Sequence, residues 1–290
     1  MQSSNPVFAR SAEFNGRGAA AARGGSAVQN DPSQWQINLD DSSTPTTHQG
    51  AGTGRMTIES VVEKTAVTLG LLVAAAAVTW FMIGAVVDEA GFVNQSNMNT
   101  AYAFAMGGAI VGLVLSLVNS FKKVISPALV LAYAVVEGVF VGAFSKIVSS
   151  YVGDPTIVFQ AVLATMVAFG ATLAAYKFFN IQVTDKFRKV VTISVFAFAG
   201  VMIVNFILSI TGVLEQGGLR GFNTLGLVVS AIAVVLAVFM LILDFDFVEK
   251  GVAAGIPVRE SWRAAFGLTV TIIWIYIEML RILAILRGND

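Results

Sequence analysis

Residues 66–87 read AVTLGLLVAAAAVTWFMIGAVV, and this stretch holds no charged side chain. A bilayer core about 30 Å thick is crossed by about 20 apolar residues in a helix, so the stretch predicts a membrane span at about 65–87. Similar stretches follow it along the chain. The seven predicted spans cover residues 65–87, 100–118, 127–149, 156–176, 190–212, 224–246 and 264–286. Their Ala and Gly content, without period-two alternation, argues against a membrane β-barrel.

The composition supports the same class. Of the 290 residues 56% are hydrophobic and only 12% are charged, whereas soluble domains carry about 25% charged residues. The sequence therefore predicts an all-α integral membrane protein in contact with the lipid bilayer. Eighteen Lys and Arg balance eighteen Asp and Glu, so the net charge does not indicate a nucleic acid partner. The chain has no cysteine and a single histidine, His48, which excludes thiol chemistry and a two-histidine metal site.

The chain is predicted to have two parts. Residues 1–60 are rich in Ser, Gly, Asn, Gln and Thr and hold no apolar stretch long enough for a signal peptide. Such a segment cannot bury enough apolar surface to offset its ordering entropy, so we expect a disordered polar tail. Residues 61–290 form the predicted membrane domain of seven helices.

The distribution of Lys and Arg predicts the orientation, because these residues accumulate in cytoplasmic loops. Eleven lie on one side: Arg55, Lys64, Lys122, Lys123, Lys177, Lys186, Arg188, Lys189, Lys250, Arg259 and Arg263. Four lie on the other: Lys146, Arg220, Arg281 and Arg287. We therefore expect the cytoplasmic membrane as the location and a cytoplasmic amino terminus. The carboxyl terminus is then outside, unless the last span re-enters the membrane.

Ionisable residues inside the spans are the candidate functional residues, because each costs about 2.5–3.5 kcal/mol on insertion scales and must face a partner or water. Glu137 lies near the middle of the third span, in AYAVVEGVFVGAF. It is either a protonated carboxyl that hydrogen-bonds across the bundle or a wall residue of an ion path. Gly138 and Gly142 beside it allow another helix to approach closely. Asn205 in the fifth span is interpreted as a hydrogen bond between helices, with an ion ligand as the alternative.

The last span carries Thr271, Glu278 and Arg281 on one helical face. Glu278 and Arg281 are three residues apart and can pair. A polar stripe on an otherwise apolar helix indicates that the helix is central and turns this face toward protein or water.

The sixth span ends in MLILDFDFVEK and carries two acids, Asp244 and Asp246. Two residues apart on a helix, they point about 200° apart, so at most one faces the bundle axis, and the other is expected at a solvated cytoplasmic end. Asp244 is the deeper in sequence, and with a second carboxyl nearby it would share a proton. Protonation would remove both the repulsion between the acids and the affinity for a divalent cation. Oxygen ligands of this kind suit calcium.

These residues also carry a resemblance. LDFDFVEKG at 243–251, IEMLRIL at 277–283 and SPALVLAYAVVEGVFVGAFS at 126–145 resemble the Bax-inhibitor family, the transmembrane Bax inhibitor motif proteins with their bacterial members. The resemblance covers about residues 60–286. It implies six helices in two layers around a central last helix. It also implies a pH-sensitive calcium leak, gated by aspartates of the sixth and seventh helices that share a proton.

The chain departs from this pattern in two places. Asp244 matches the first acid of the sixth-helix motif, whereas Asp246 stands where a neutral polar residue is usual. Thr271 stands where the resemblance implies the seventh-helix aspartate, ten residues before Arg281. Either Glu278 or Asp246 takes the place of the missing acid, or this chain conducts by another mechanism, or it has lost calcium conduction.

Two functions are carried forward. The first is a passive cation leak, in which calcium ions and protons are the partners and Asp244, Asp246, Glu278 and Glu137 form the ion path and pH gate, supported by Thr271, Arg281 and Asn205. It needs no cofactor, and calcium enters as a permeant or bound ion. The second is a non-conducting protein that modulates membrane proteases or other complexes through a membrane protein partner.

Two other classes fit the sequence less well. An enzyme is not expected, since the spans hold no catalytic Ser motif, cysteine or histidine. A proton-coupled transporter would show an internal repeat with broken helices, and neither is apparent.

Overall fold

The computed structural model describes residues 54–88 and 90–288. Most of the predicted tail, His48 included, lies outside these residues. Its last part is described. Met56 N–H donates to the Ile256 carbonyl at 2.8 Å, and Val258 N–H donates to the Gly54 carbonyl at 2.8 Å. The segment just before the first helix is thus fixed to the loop between the last two helices.

Seven long helices make up the described part of the chain. They are α1 (Ile58–Ile83), α2 (Gln95–Phe121), α3 (Pro127–Val152), α4 (Thr156–Phe178), α5 (Asp185–Ile210), α6 (Thr224–Ala253) and α7 (Ser261–Arg287). All seven are long and apolar enough to cross a membrane, which confirms the predicted all-α multi-pass class. Short 3₁₀ helices, Glu215–Arg220 and Val258–Glu260, lie before α6 and α7.

The ends of the helices follow local chemistry. Thr57, Asn94, Thr184 and Asn223 accept hydrogen bonds from backbone N–H groups in the first turns of α1, α2, α5 and α6. Pro127 opens α3, where a proline costs no backbone hydrogen bond because the first N–H groups of a helix have no partner within it. α1 starts seven residues before its predicted span and stops at Ile83, because Gly84 adopts a positive φ of 73°.

The helices form two groups of three around α7. α1 and α2 both pack on α3, α4 and α5 both pack on α6, and α7 contacts α1, α3, α4 and α6. One face of α7, including Phe266, Ile273 and Leu280, belongs to a core shared with α1, α3 and α4. Leu268 and Ile275 belong to a second core shared with α6. This is the expected arrangement of six helices in two layers around a central last helix.

Gly138 and Gly142 allow α1 to lie directly against α3, as the sequence predicts. A Cβ built on Gly142 would lie 2.9 Å from Ala76 Cα and closer still to the Ala76 carbonyl oxygen. A Cβ on Gly138 would meet the Leu72 carbonyl oxygen. Since these obstacles are backbone atoms, a side chain fits only if the two helices separate.

We expect Gly142→Ala to destabilise the bundle by about 2 kcal/mol, because overpacking of this kind forces backbone shifts. Gly107 on α2 is the matched control, since a Cβ there meets no atom within 4 Å. Gly107→Ala should be neutral or stabilising by up to about 1 kcal/mol from helix propensity. Unfolding by SDS in mixed micelles measures both variants, and equal effects would contradict the close α1–α3 contact.

Candidate functional site

Asp244 and Thr271 meet where α6 and α7 pack together. The Thr271 hydroxyl lies 2.6 Å from Asp244 Oδ2, within hydrogen-bonding distance. A Cβ on Gly267 would lie 3.4 Å from Asp244 Oδ1, so the glycine leaves room beside this second oxygen. Asp244 is half-buried, and no ion pair of the described residues includes it. It is a carboxylate deep in the bundle without a compensating cation there.

The Thr271 hydroxyl has two acceptors within reach. Besides Asp244 Oδ2 it lies 3.1 Å from the Gly267 carbonyl oxygen. A hydroxyl has one proton to donate but two lone pairs to accept with. It can therefore donate to an ionised Asp244, or accept from a protonated Asp244 while donating to the Gly267 carbonyl. The pair accommodates both charge states of the carboxyl without moving a helix.

Asp246 faces a different environment. Its carboxylate lies 2.6 Å from Arg188 Nη2 on α5 and 2.8 Å from Lys250 Nζ on α6. The residue is 4% exposed, so the expectation of a solvated end for this acid is corrected. Two cations neutralise Asp246, because the first turn of α5 lies beside α6 and places Arg188 against this acid. Asp246 therefore joins helix ends rather than sharing a proton with Asp244.

Glu278 is also held by cations. Its Oε1 lies 2.6 Å from Arg220 Nη1, and its Oε2 lies 3.9 Å from Arg281 Nε, the predicted pair on one helix. Glu278 is 2% exposed, and Oε2 has no hydrogen-bond partner in the described residues. Arg281 Nη2 donates to the Arg220 carbonyl at 2.7 Å. The two arginines thus close a buried cluster around one carboxylate.

Asn205 helps to hold the same connection between α5 and α6. Its amide donates to the Gly217 carbonyl at 3.2 Å and accepts from Leu219 N–H at 2.8 Å. The predicted hydrogen bond between helices is therefore a bond from α5 to the 3₁₀ segment. Asn205 fixes the backbone that carries Arg220 toward Glu278.

Glu137 lies at the seam between α2 and α3. A Cβ on Gly112 of α2 would lie 2.5 Å from Glu137 Oε2, so the glycine makes the space that this carboxyl occupies. Glu137 is half-buried, and none of the described ion pairs or hydrogen bonds includes it. No described contact joins it to the acids of α6 and α7. Glu137 is the second uncompensated carboxylate within the spans.

The structure separates the predicted gate residues into distinct centres. Thr271 contacts Asp244, and Glu278 follows it by seven residues, or about 10 Å along the axis of α7. A proton shared directly between Asp244 and Glu278 does not fit this arrangement. What α6 and α7 bring together is an acid and a hydroxyl.

Arg188 and Arg220 were not identified from the sequence as partners of membrane acids. The orientation rule places both only in loops or at loop ends. Arg220 nevertheless carries a signal, since it is the one Lys or Arg between Lys189 and Lys250. An isolated arginine after a Gly-Gly turn, near membrane acids that need partners, is a reasonable candidate for such a pairing.

An ionic contact also links the α3–α4 loop to the end of α7. Asp154 accepts from the Thr156 hydroxyl at 2.7 Å and from Thr156 N–H at 2.8 Å, and it also pairs with Arg287. The Thr156 hydrogen bonds, aided by Arg287, hold the pKa of the exposed Asp154 carboxyl below its usual range. Arg287 also donates to Gln160 at 2.9 Å, which ties α7 to α4.

Within the described ranges, no three His, Cys, Asp or Glu side chains gather in a way that could hold a metal ion. The oxygen atoms at Asp244 and Thr271 are too few for a resident calcium site of six to eight ligands.

Comparison with known protein families agrees with the resemblance in the sequence. The family model described as Bax inhibitor 1 like matches residues 5–288, nearly the whole chain. No curated protein matches the chain significantly. The seven membrane-spanning helices, the central α7 and this match lead to one conclusion: the chain belongs to the Bax inhibitor 1 like family of membrane proteins.

Proposed function

We propose that this protein is a passive, pH-sensitive cation leak of the cytoplasmic membrane, with calcium as its permeant ion. The observation that carries the proposal is Asp244: a half-buried carboxylate between α6 and α7, bound to a hydroxyl and without a cation partner in the described residues. An acid placed this deep is costly unless it faces a partner or water. A route for cations past Asp244 accounts for an acid at this position.

The contrast with the other acids supports Asp244 as the gate. Asp246 and Glu278 are neutralised by neighbouring Arg and Lys side chains, so they offer little attraction to a passing ion. An ionised Asp244, in contrast, has no cation partner among the described residues, so its charge remains available to a passing ion. Glu137 contributes a second uncompensated carboxylate at the α2–α3 seam. In the proposed mechanism an ionised Asp244 attracts the cation, and protonation removes that attraction.

With Thr271 as the hydrogen-bond partner of Asp244, the proposed gate needs only one acid. When Asp244 is ionised, the Thr271 hydroxyl donates to it. When Asp244 is protonated, the carboxyl donates to Thr271, whose own proton turns to the Gly267 carbonyl. The threonine thus serves where the family resemblance implies a second aspartate. The proton is bound by one carboxyl rather than shared between two.

The first test is calcium flux from proteoliposomes that contain the purified full-length protein and a calcium dye. We expect downhill flux that needs no energy source and that decreases as the pH is lowered through the titration of Asp244. Liposomes without protein are the control for leakage. Absence of flux at every pH between 5 and 9 would contradict the proposal.

A second candidate function is a non-conducting protein that modulates other membrane proteins. It is favoured by the ion pairs of Asp246 and Glu278, which give two of the four membrane acids a purely structural role. Co-purification of a membrane partner in fixed stoichiometry, together with no flux from the pure protein, would support this function over the leak.

A further inference from the structure

A cavity of about 270 Å³ lies between α1 and α4, with α3 and α7 behind it. Its wall includes Val73, Ala77 and Val162, and Val73 and Val162 are 63% and 40% exposed on the outer surface of the bundle. In a membrane that surface faces lipid. The cavity therefore opens sideways into the bilayer.

The three hydroxyl groups in the wall are already hydrogen-bonded. The hydroxyls of Ser145 and Tyr276 lie 2.7 Å apart, and the Thr165 hydroxyl donates to the Ala161 carbonyl at 2.7 Å. The rest of the lining is aliphatic, aromatic or Met side chains. An apolar space without unpaired hydroxyl groups is unfavourable for water and takes up apolar molecules instead.

A positive charge stands at one end of this cavity. Trp80 lines the cavity, and the Lys146 ammonium lies 4.3 Å from the centre of its ring. Lys146 makes no ion pair in the described part of the chain, and it lies six residues, or about 9 Å, before the end of α3 at Val152. Trp and Lys at this depth occupy the level of the lipid headgroups.

We propose that the cavity binds one acyl chain of an anionic phospholipid, whose phosphate contacts Lys146. The chain is apolar and already present in the bilayer onto which the cavity opens. Because bilayer lipid surrounds the site, the hydrophobic effect does not select the ligand, and selectivity comes from packing and charge. The unpaired ammonium beside Trp80 is complementary to a phosphate and to the net negative charge of an anionic headgroup.

The test is native mass spectrometry of the full chain released from nanodiscs with equal amounts of phosphatidylglycerol and phosphatidylcholine. The wild type should retain one phosphatidylglycerol per chain after the surrounding lipid is stripped. Lys146→Gln should lower the ratio of retained phosphatidylglycerol to phosphatidylcholine about fivefold, as expected for one basic residue at an anionic surface. Lys123→Gln, in an exposed loop at the other end of the bundle, should leave the ratio unchanged.

Two filling variants test the cavity itself from opposite walls. Ala77→Phe on α1 and Val162→Phe on α4 should both abolish lipid retention, because a phenyl ring occupies the space of the acyl chain. Their matched controls are Ala74→Phe and Val167→Phe, at exposed positions of the same helices outside the cavity. Melting temperatures identify any variant that fails to fold. Retention unaffected by both folded filling variants, or a lipid ratio unaffected by Lys146→Gln, would overturn the proposal.

Discussion

Replacing Arg220 by alanine is expected to destabilise the protein by about 3 kcal/mol, because it removes the main partner of a buried carboxylate. Glu278 is 2% exposed, and Arg220 Nη1 is its closest cationic contact at 2.6 Å. Arg281 remains at 3.9 Å from the other oxygen, which is too long for a hydrogen bond. The variant therefore leaves the Glu278 charge poorly compensated inside the membrane domain.

The control is the other arginine–acid pair of equal length. Arg188 lies 2.6 Å from Asp246, but its side chain is 47% exposed and Lys250 also pairs with the acid. Arg188→Ala should therefore cost less than about 1 kcal/mol. Adding Glu278→Gln to Arg220→Ala should recover part of the loss, because the unpaired charge is then absent. Unfolding in mixed micelles measures all of these variants, and an Arg220→Ala effect no larger than that of Arg188→Ala would refute a stabilising role for the buried cluster.

Asp244→Asn is expected to abolish the pH dependence of calcium flux and to lower the flux at neutral pH about tenfold, which corresponds to about 1.4 kcal/mol. The reason is that asparagine has the size of the carboxyl but carries no charge and binds no proton in this pH range. The Asn side chain can still accept the hydrogen bond from Thr271, so the contact between α6 and α7 is retained. The measurement is dye-reported flux in proteoliposomes between pH 5 and 9.

Asp246→Asn is the matched control for this prediction, since it makes the same chemical change two residues along α6. Its carboxylate is already neutralised by Arg188 and Lys250. The variant should be less stable but should keep a pH-dependent flux. If Asp244→Asn retained the wild-type pH profile, or if Asp246→Asn alone abolished it, Asp244 would not be the gate.

The fold could be predicted from the sequence because the bilayer imposes a length and an apolar character on each helix. The predicted starts at residues 127, 156 and 224 are the observed ones. Elsewhere hydropathy misplaced the ends. α6 continues past Asp246 to Ala253, since Glu249 and Lys250 are good helix formers even though they end the apolar run. The central position of α7 was indicated by its polar stripe.

The partners of the membrane acids could be predicted from the sequence only in part. Glu278 and Arg281 are three residues apart on one helix, and spacing predicted their contact. Arg220 lies 58 residues from Glu278, and its position depends on how the glycine-rich connection between α5 and α6 folds back. The contact between Asp244 and Thr271 depends on the register of two antiparallel helices, which hydropathy does not specify.

The central claim is that water and cations reach Asp244, and thiol accessibility tests it most directly. The chain has no cysteine, so Thr271→Cys introduces a single thiol beside Asp244. We predict that a cationic, membrane-impermeant methanethiosulfonate reagent modifies this thiol in proteoliposomes faster than an anionic one does, and that modification blocks calcium flux. Lys123→Cys, in an exposed loop, shows that the reagent is active. If the thiol of the Thr271→Cys variant stayed unmodified at every pH at which calcium flux occurs, the account would be contradicted.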